Sequence, residues 1–127
     1  MAWIGLAAAI VTWPPAQAAA EEDLGVAFKL AASDRCSKTS PEITVTNVPP
    51  GAVSFKVRLR DLDKPSWRHG GGMVPADPSG KIAQGALTNG YNGPCPPSGS
   101  HRYEFIVEAL DANEDTLAEG SATQSFP

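Results

Sequence analysis

"AVSFKVRLRDLD", Ala52 to Asp63, alternates without interruption: Val53, Phe55, Val57 and Leu59 fall on one side, and Ser54, Lys56, Arg58 and Arg60 on the other. Successive side chains of an extended chain point to opposite faces, so this is the pattern of a strand with one buried face and one solvated face. The basic residues are what the wet face of such a strand carries and need no function to explain them. Asp61 and Asp63 continue the same spacing past its end, and share a face if the segment stays extended.

The same period recurs along the chain. "RYEFIVEALD" sets Tyr103, Phe105, Val107 and Ala109 against Arg102, Glu104, Ile106 and Glu108. "EITVTNV" places Ile43, Val45 and Asn47 on one face, with Thr44 and Thr46 on the other, and "LGVAFKLAA" alternates around Val26 and Phe28. Ser40-Pro41 opens one strand and "NVPPG" separates two more; "DANEDT" reads as a hairpin loop leading to a short last strand through "TLAEGSATQSF". No long stretch has a helical repeat. The reading is an all-β chain, an antiparallel β-sandwich with few or no helices, no internal repeat and no linker.

A chain of 127 residues suggests one domain. The opening "MAWIGLAAAIVTWPPAQAAAEED" has an apolar stretch, Pro14-Pro15, then small residues that fit an A-x-A cleavage site, so residues 1–20 are expected to be a signal peptide and 21–127 the mature domain. The alternative, an uncleaved anchor, is cut short by the prolines, and no transmembrane span is expected after cleavage. The formal charge of -4 and pI near 5.0 argue against nucleic-acid binding, which requires a basic face, and offer no polybasic patch for an anionic membrane. Cys36 and Cys95 are the only cysteines, so one pairing exists; in an exported, periplasmic or secreted, chain a disulfide is expected, the alternative being two unpaired, buried thiols.

Two segments interrupt the alternation. The first, "DLDKPSWRHGGGMV", follows the best strand and carries Asp61, Asp63, Pro65, Trp67 and His69, then three glycines whose amides could approach a ligand closely or form an anion nest. Against this, aspartates cap turns, and neither D-x-D nor a glycine run is specific. The second, "YNGPCPPSGSHRY", is stiffened by Pro94, Pro96 and Pro97 and delivers His101 and Tyr103 to one side of a strand. An imidazole beside a phenol can hydrogen-bond a phosphate or carboxylate, or can simply be a structural histidine against a core tyrosine. Both histidines of the chain therefore sit at strand ends, where sandwich loops build sites.

These segments resemble a known family. "YNGPCPPSGSHRYEFIVEALD" is similar to the signature of the phosphatidylethanolamine-binding proteins, which include the Raf kinase inhibitor proteins and bacterial relatives. "VSFKVRLRDLDKP" resembles the family's Asp-Pro-Asp-Ala-Pro element, and "CSKTSPEITVTNVPPGAVSF" the segment leading into it. The resemblance implies a Greek-key β-sandwich with a small anion pocket at one end, here assigned to Asp61, His69, Gly93, Cys95, His101 and Tyr103, with Asp63, Pro65, Pro94 and Pro96 in support. The chain departs from the pattern in reading Asp61-Leu62-Asp63 for Asp-Pro-Asp and His69-Gly70 for His-Trp or His-Phe, and "GGGMVPADPSGK" stands where the family has a further strand.

The resulting expectation is a non-enzymatic binding domain for phosphate or carboxylate groups such as phospholipid head groups, binding best at mildly acidic pH where histidine is charged. No cofactor and no metal are implied: His69, His101 and Asp61 have the types of a 2-His-1-carboxylate set but no supporting spacing. Catalysis is disfavoured, since Ser98 and Ser100 lie outside any G-x-S-x-G context. The competing class is an exported protein-interaction or protease-inhibitor-like module, with an envelope partner meeting the same loops and Trp67 as an anchor.

Overall fold

The computed structural model describes residues 5, 7–10 and 23–127; the rest of the expected leader lies outside the described residues. Among the described residues seven strands form two antiparallel sheets: β1 (Gly25–Phe28), β2 (Ile43–Thr46) and β5 (Lys81–Ile82) in the order β1-β2-β5, and β4 (Gly71–Pro75), β3 (Ser54–Asp61), β6 (His101–Leu110) and β7 (Thr116–Phe126) in the order β4-β3-β6-β7. A 3-10 turn at Ala32–Asp34 is the helical element among the described residues. Because β3 pairs with β6 while β5 joins the opposite sheet, the order is the non-sequential one of a Greek-key sandwich rather than a meander.

The core lies between the sheets and is built by the alternation. Phe55, Val57 and Leu59 from β3 meet Phe105 and Val107 from β6, and Ile43, Val45 and Ile82 close it from the smaller sheet, all nearly or fully buried. Phe28 crosses between sheets to pack edge-on against Phe105, with ring centroids 4.8 Å apart. Burying each such aromatic or aliphatic side chain contributes about 1.5–3 kcal/mol before chain entropy is counted.

Four local expectations are corrected. Val53 precedes β3 and is 51% exposed, tied to its neighbours Leu110 and Ala76 by its backbone alone rather than facing the core. Asn47 is not on the inner face: it takes φ +65 in the turn after β2, is exposed, and donates from Nδ2 to the Asp23 carbonyl. The last strand runs through the whole expected segment, Thr116 to Phe126, but at 11 residues it is not short, and it pairs with β6 from His101–Phe126 to Leu110–Thr116. Finally, "GGGMVPADPSGK" does not replace a strand but supplies one, β4, plus the start of β5. Gly71 is required there: a Cβ would sit 1.8 Å from the Val57 carbonyl oxygen.

Candidate functional site

The period that builds the core also builds the site. Inward positions on β3 run Phe55, Val57, Leu59 and then Asp61, so the alternation that buries three apolar side chains buries a carboxylate at the strand's end, 0% exposed. Such a group must be satisfied. Asp61 Oδ1 accepts the amides of Asp63 (2.9 Å) and Lys64 (3.0 Å), which turns the chain sharply after β3. Oδ2 accepts from His101 Nδ1 at 2.7 Å. Burial pushes the Asp61 carboxyl up, but the His101 hydrogen bond, the two amides and the imidazole's charge together hold it below its ordinary value.

His101 opens β6, and Tyr103, two residues on, stands opposite Asp61 in the β3–β6 register. They share a side as the alternation predicts, with rings stacked 6.3 Å apart at 25°. Because the carboxylate only accepts, His101 Nδ1 carries the proton in that bond, and Nε2 is committed to no protein hydrogen bond. Tyr103 is fully buried. Its pKa is pushed up to about 12, first by burial and then by the Asp61 charge, so the hydroxyl stays a donor. It lies near enough to the Cys95 backbone and the Asp61 carboxylate to feel both, yet makes a hydrogen bond of normal geometry with neither.

His69 is brought to the same place from the other loop. It is 5% exposed and packs edge-on against Tyr103 at 5.6 Å. Its Nδ1 donates to the Asn92 carbonyl at 2.7 Å, and its Nε2 is buried without a partner. Two imidazoles thus flank one phenol, each held through Nδ1. Trp67, 42% exposed, leans over His101 at 6.1 Å, with the Lys64 ammonium 5.8 Å from its indole.

The remaining expected residues are placed around this cluster. Gly93 is buried, and its amide donates to the Ser37 carbonyl, so it locks two loops together rather than facing outward; a Cβ there would come 2.6 Å from the Asp34 carbonyl oxygen. Cys95 is exposed and bonded to Cys36, with Cα atoms 4.6 Å apart, while the Pro94 carbonyl accepts the Cys36 amide. Pro94 and Pro96 are buried supports. Asp63 and Pro65 are exposed; the Asp63 carboxylate does not join Asp61 but accepts the Arg102 amide (2.7 Å) and guanidinium (3.1 Å), which together with the guanidinium's charge lower its pKa. Gly70, Gly71 and Gly72 form no nest at the cluster: the Gly71 amide donates to Asn89, and Gly70 and Gly71 let backbones pass closely. Among the described residues, no group of three or more His, Cys, Asp or Glu side chains is placed to hold a metal ion.

Two contributors escaped the sequence reading. Asn92 orients His69 through its main chain, where no side-chain pattern reports it. Arg35 lies over Phe126 at 5.2 Å, Phe126 packs edge-on against Tyr103, and the guanidinium's field reaches the Tyr103 hydroxyl. The Cys36–Cys95 pairing was its available signal, since it carries the preceding residue to the loop beside the histidines.

The fold and cluster define an all-β binding domain whose two signature loops meet at one end of a sandwich. The family model described as phosphatidylethanolamine-binding protein matches residues 16–126, and the chain belongs to that family. It is 36% identical over 91 residues to a "UPF0098 protein" of Methanothermobacter thermautotrophicus, covering 57% of this chain and 60% of the relative. It is 35% identical over 105 residues to "UPF0098 protein YbhB" of Escherichia coli, covering 65% and 66%. The chain thus spans somewhat less than two thirds of these relatives' length. In fold it is similar to Escherichia coli YbcL, titled a member of the mammalian PEBP family, with TM-score 0.64, 23% identity and coverage of 83% of this chain and 98% of that one. A PEBP homologue, CT736 of Chlamydia trachomatis, matches at TM-score 0.55 and 25% identity over 70% of this chain and 81% of that one.

Proposed function

We propose that this domain binds a small anionic group, a phosphate or carboxylate such as a phospholipid head group carries, between Tyr103 and the two imidazoles, and does so without catalysing a reaction. The observation that carries this is the pair of buried polar atoms left unpartnered beside each other's rings, the Tyr103 hydroxyl and His69 Nε2. Buried polar atoms in native folds are nearly always satisfied, so two orphans in one aromatic contact favour a site completed by a ligand. The two serines of the second loop are not held as nucleophiles: Ser98 and Ser100 are exposed, and the Ser100 hydroxyl donates to the Pro127 carbonyl. The family's description as phosphatidylethanolamine-binding supports the same ligand class. Export to an oxidising compartment fits the Cys36–Cys95 disulfide, both of whose cysteines are exposed. No helix of the described residues is long and apolar enough to cross a membrane.

The test is ligand-observed NMR with inorganic phosphate, glycerophosphoethanolamine and acetate, on the parent and on His101→Ala. A saturable signal for at least one ligand, weakened about tenfold in the variant as expected for a lost charge-assisted hydrogen bond, supports the reading. No saturable signal for any of the three sinks it.

A further inference from the structure

We propose that the outer face of the four-stranded sheet is a docking groove for an extended, acidic segment of a partner protein, adjoining the anion site, whose His69 also lines it. The groove encloses about 450 Å³ over β3 and β4 and is lined by Lys56, Arg58, Arg60 and Arg68, with Trp67 and Met73 contributing apolar surface. All four cations are exposed, and Trp67 and Met73 are 42% and 51% exposed. Among the described residues the ion pairs are Lys81–Glu42, His101–Asp61 and Arg102–Asp63, so none of the four groove cations is spent internally. A chain of net charge -4 thus gathers four of its ten Lys and Arg side chains in one groove.

The spacing chooses the occupant. Lys56, Arg58 and Arg60 alternate along one strand, which sets them about 6.6 Å apart, the same repeat as alternate side chains of an extended peptide lying along β3. Next to them on β4, Arg58 faces Gly71, so no side chain rises from that position to block such a peptide, while Met73 stands opposite Lys56. On the other flank, Glu108 stands opposite Lys56 and Glu104 opposite Arg60, one strand or about 4.8 Å away. That anionic border admits a narrow acidic ligand and repels a broad one, so a nucleic-acid duplex or an anionic bilayer, whose charge spreads over tens of ångströms, meets the glutamates as well as the arginines. One exposed aromatic is also too few for the stacked bases of a single strand.

The experiment is fluorescence anisotropy with a labelled ten-residue peptide of alternating Glu and Thr, terminally blocked, against an isomer of equal composition with all Glu in one block. Binding of the alternating peptide at least fivefold tighter than its isomer is expected, with loss near 0.5 M salt. Arg58→Gln and Lys56→Gln should each weaken it about fivefold, as removal of one exposed ion pair can do, whereas Tyr103→Phe, a buried anion-site change outside the groove lining, leaves it unchanged. That last arm separates this surface from the anion site: losing phosphate binding there leaves the groove intact. Equal affinity for the two isomers overturns the proposal. So does insensitivity to both glutamine variants, or tighter binding of a single-stranded oligonucleotide or of phosphatidylglycerol vesicles.

Discussion

Tyr103→Phe separates a hydroxyl reserved for a ligand from one that holds the fold. Tyr103 is fully buried, its ring packs against His69, His101 and Phe126, and its hydroxyl lacks a partner of normal geometry. Phenylalanine keeps the three ring contacts and deletes only the oxygen. An unsatisfied buried polar group costs about 1–3 kcal/mol. The nearby Asp61 carboxylate and Cys95 backbone offset part of that, so the variant should gain about 1 kcal/mol, or about 4 °C in midpoint for a domain of this size. The same oxygen removes one hydrogen bond from a bound anion, a loss of about 1.5 kcal/mol or roughly tenfold in affinity. Urea and thermal unfolding would be measured in buffer free of phosphate and carboxylate, because a ligand that binds only the folded state raises stability by mass action. Phosphate affinity would be read by calorimetry. The reasoning fails if Tyr103→Phe is destabilised by more than 1 kcal/mol, since the hydroxyl would then be structurally bonded. It fails equally if phosphate affinity is unchanged.

Asp61→Asn should destabilise by about 3 kcal/mol at neutral pH, since it removes the charge that pairs with His101 in a fully buried position. The folded-state pKa of Asp61 is depressed below 3.8, so its contribution is complete above that value and disappears as pH falls through the lower folded pKa. Urea midpoints of parent and variant should therefore converge only in strong acid; a constant gap down to pH 2 would contradict this. Gly71→Ala puts a methyl 1.8 Å from the Val57 carbonyl oxygen and should lower stability by at least about 2 kcal/mol, seen as a shifted denaturation midpoint. Reducing Cys36–Cys95, separated by 59 residues, should cost about 4 kcal/mol in the chain-entropy estimate, measurable by melting with and without a reductant.

Side-chain alternation made most of the fold legible, and the same alternation made half of the site legible. Phe55, Val57 and Leu59 fix which way β3 faces, and that alone carries Asp61 inward; His101 and Tyr103 follow by the same rule on β6. The rule fails where side chains are missing or the backbone leaves the extended region. β4 begins with glycines, which carry no polarity signal, so it read as loop although Gly71 is held between Asn89 and the β3 backbone. Asn47 leaves the pattern through a positive φ, and His69 is fixed by a carbonyl, which no residue identity reveals. Asp63, two residues from Asp61, illustrates the limit of spacing: the amide hydrogen bonds to Asp61 turn the chain, and Asp63 pairs outward with Arg102.

A buried carboxylate beside an anion site demands an explanation, because two unit charges 4 Å apart repel by about 4 kcal/mol at an effective dielectric of 20. The hydrogen bonds supply one. Oδ1 of Asp61 is occupied by two amides and Oδ2 by the imidazole, so its acceptor capacity is directed away from any ligand and its charge is balanced locally. Asp61 then acts through His101, fixing which nitrogen carries the bonded proton and leaving Nε2 to face outward chemistry. Of the three buried side-chain atoms left unmet among the described residues, the Tyr91 hydroxyl being the third, two lie in this cluster: one donor, the Tyr103 hydroxyl, and one ring nitrogen, His69 Nε2. A hydrogen phosphate matches that pair without requiring a charged His69: an oxygen accepts from the phenol, and the P–OH donates to the neutral imidazole. On the proposed reading such a ligand satisfies both orphaned atoms at once, so occupancy should stabilise the fold by more than it does in a Tyr103→Phe variant, where one of the two has been removed.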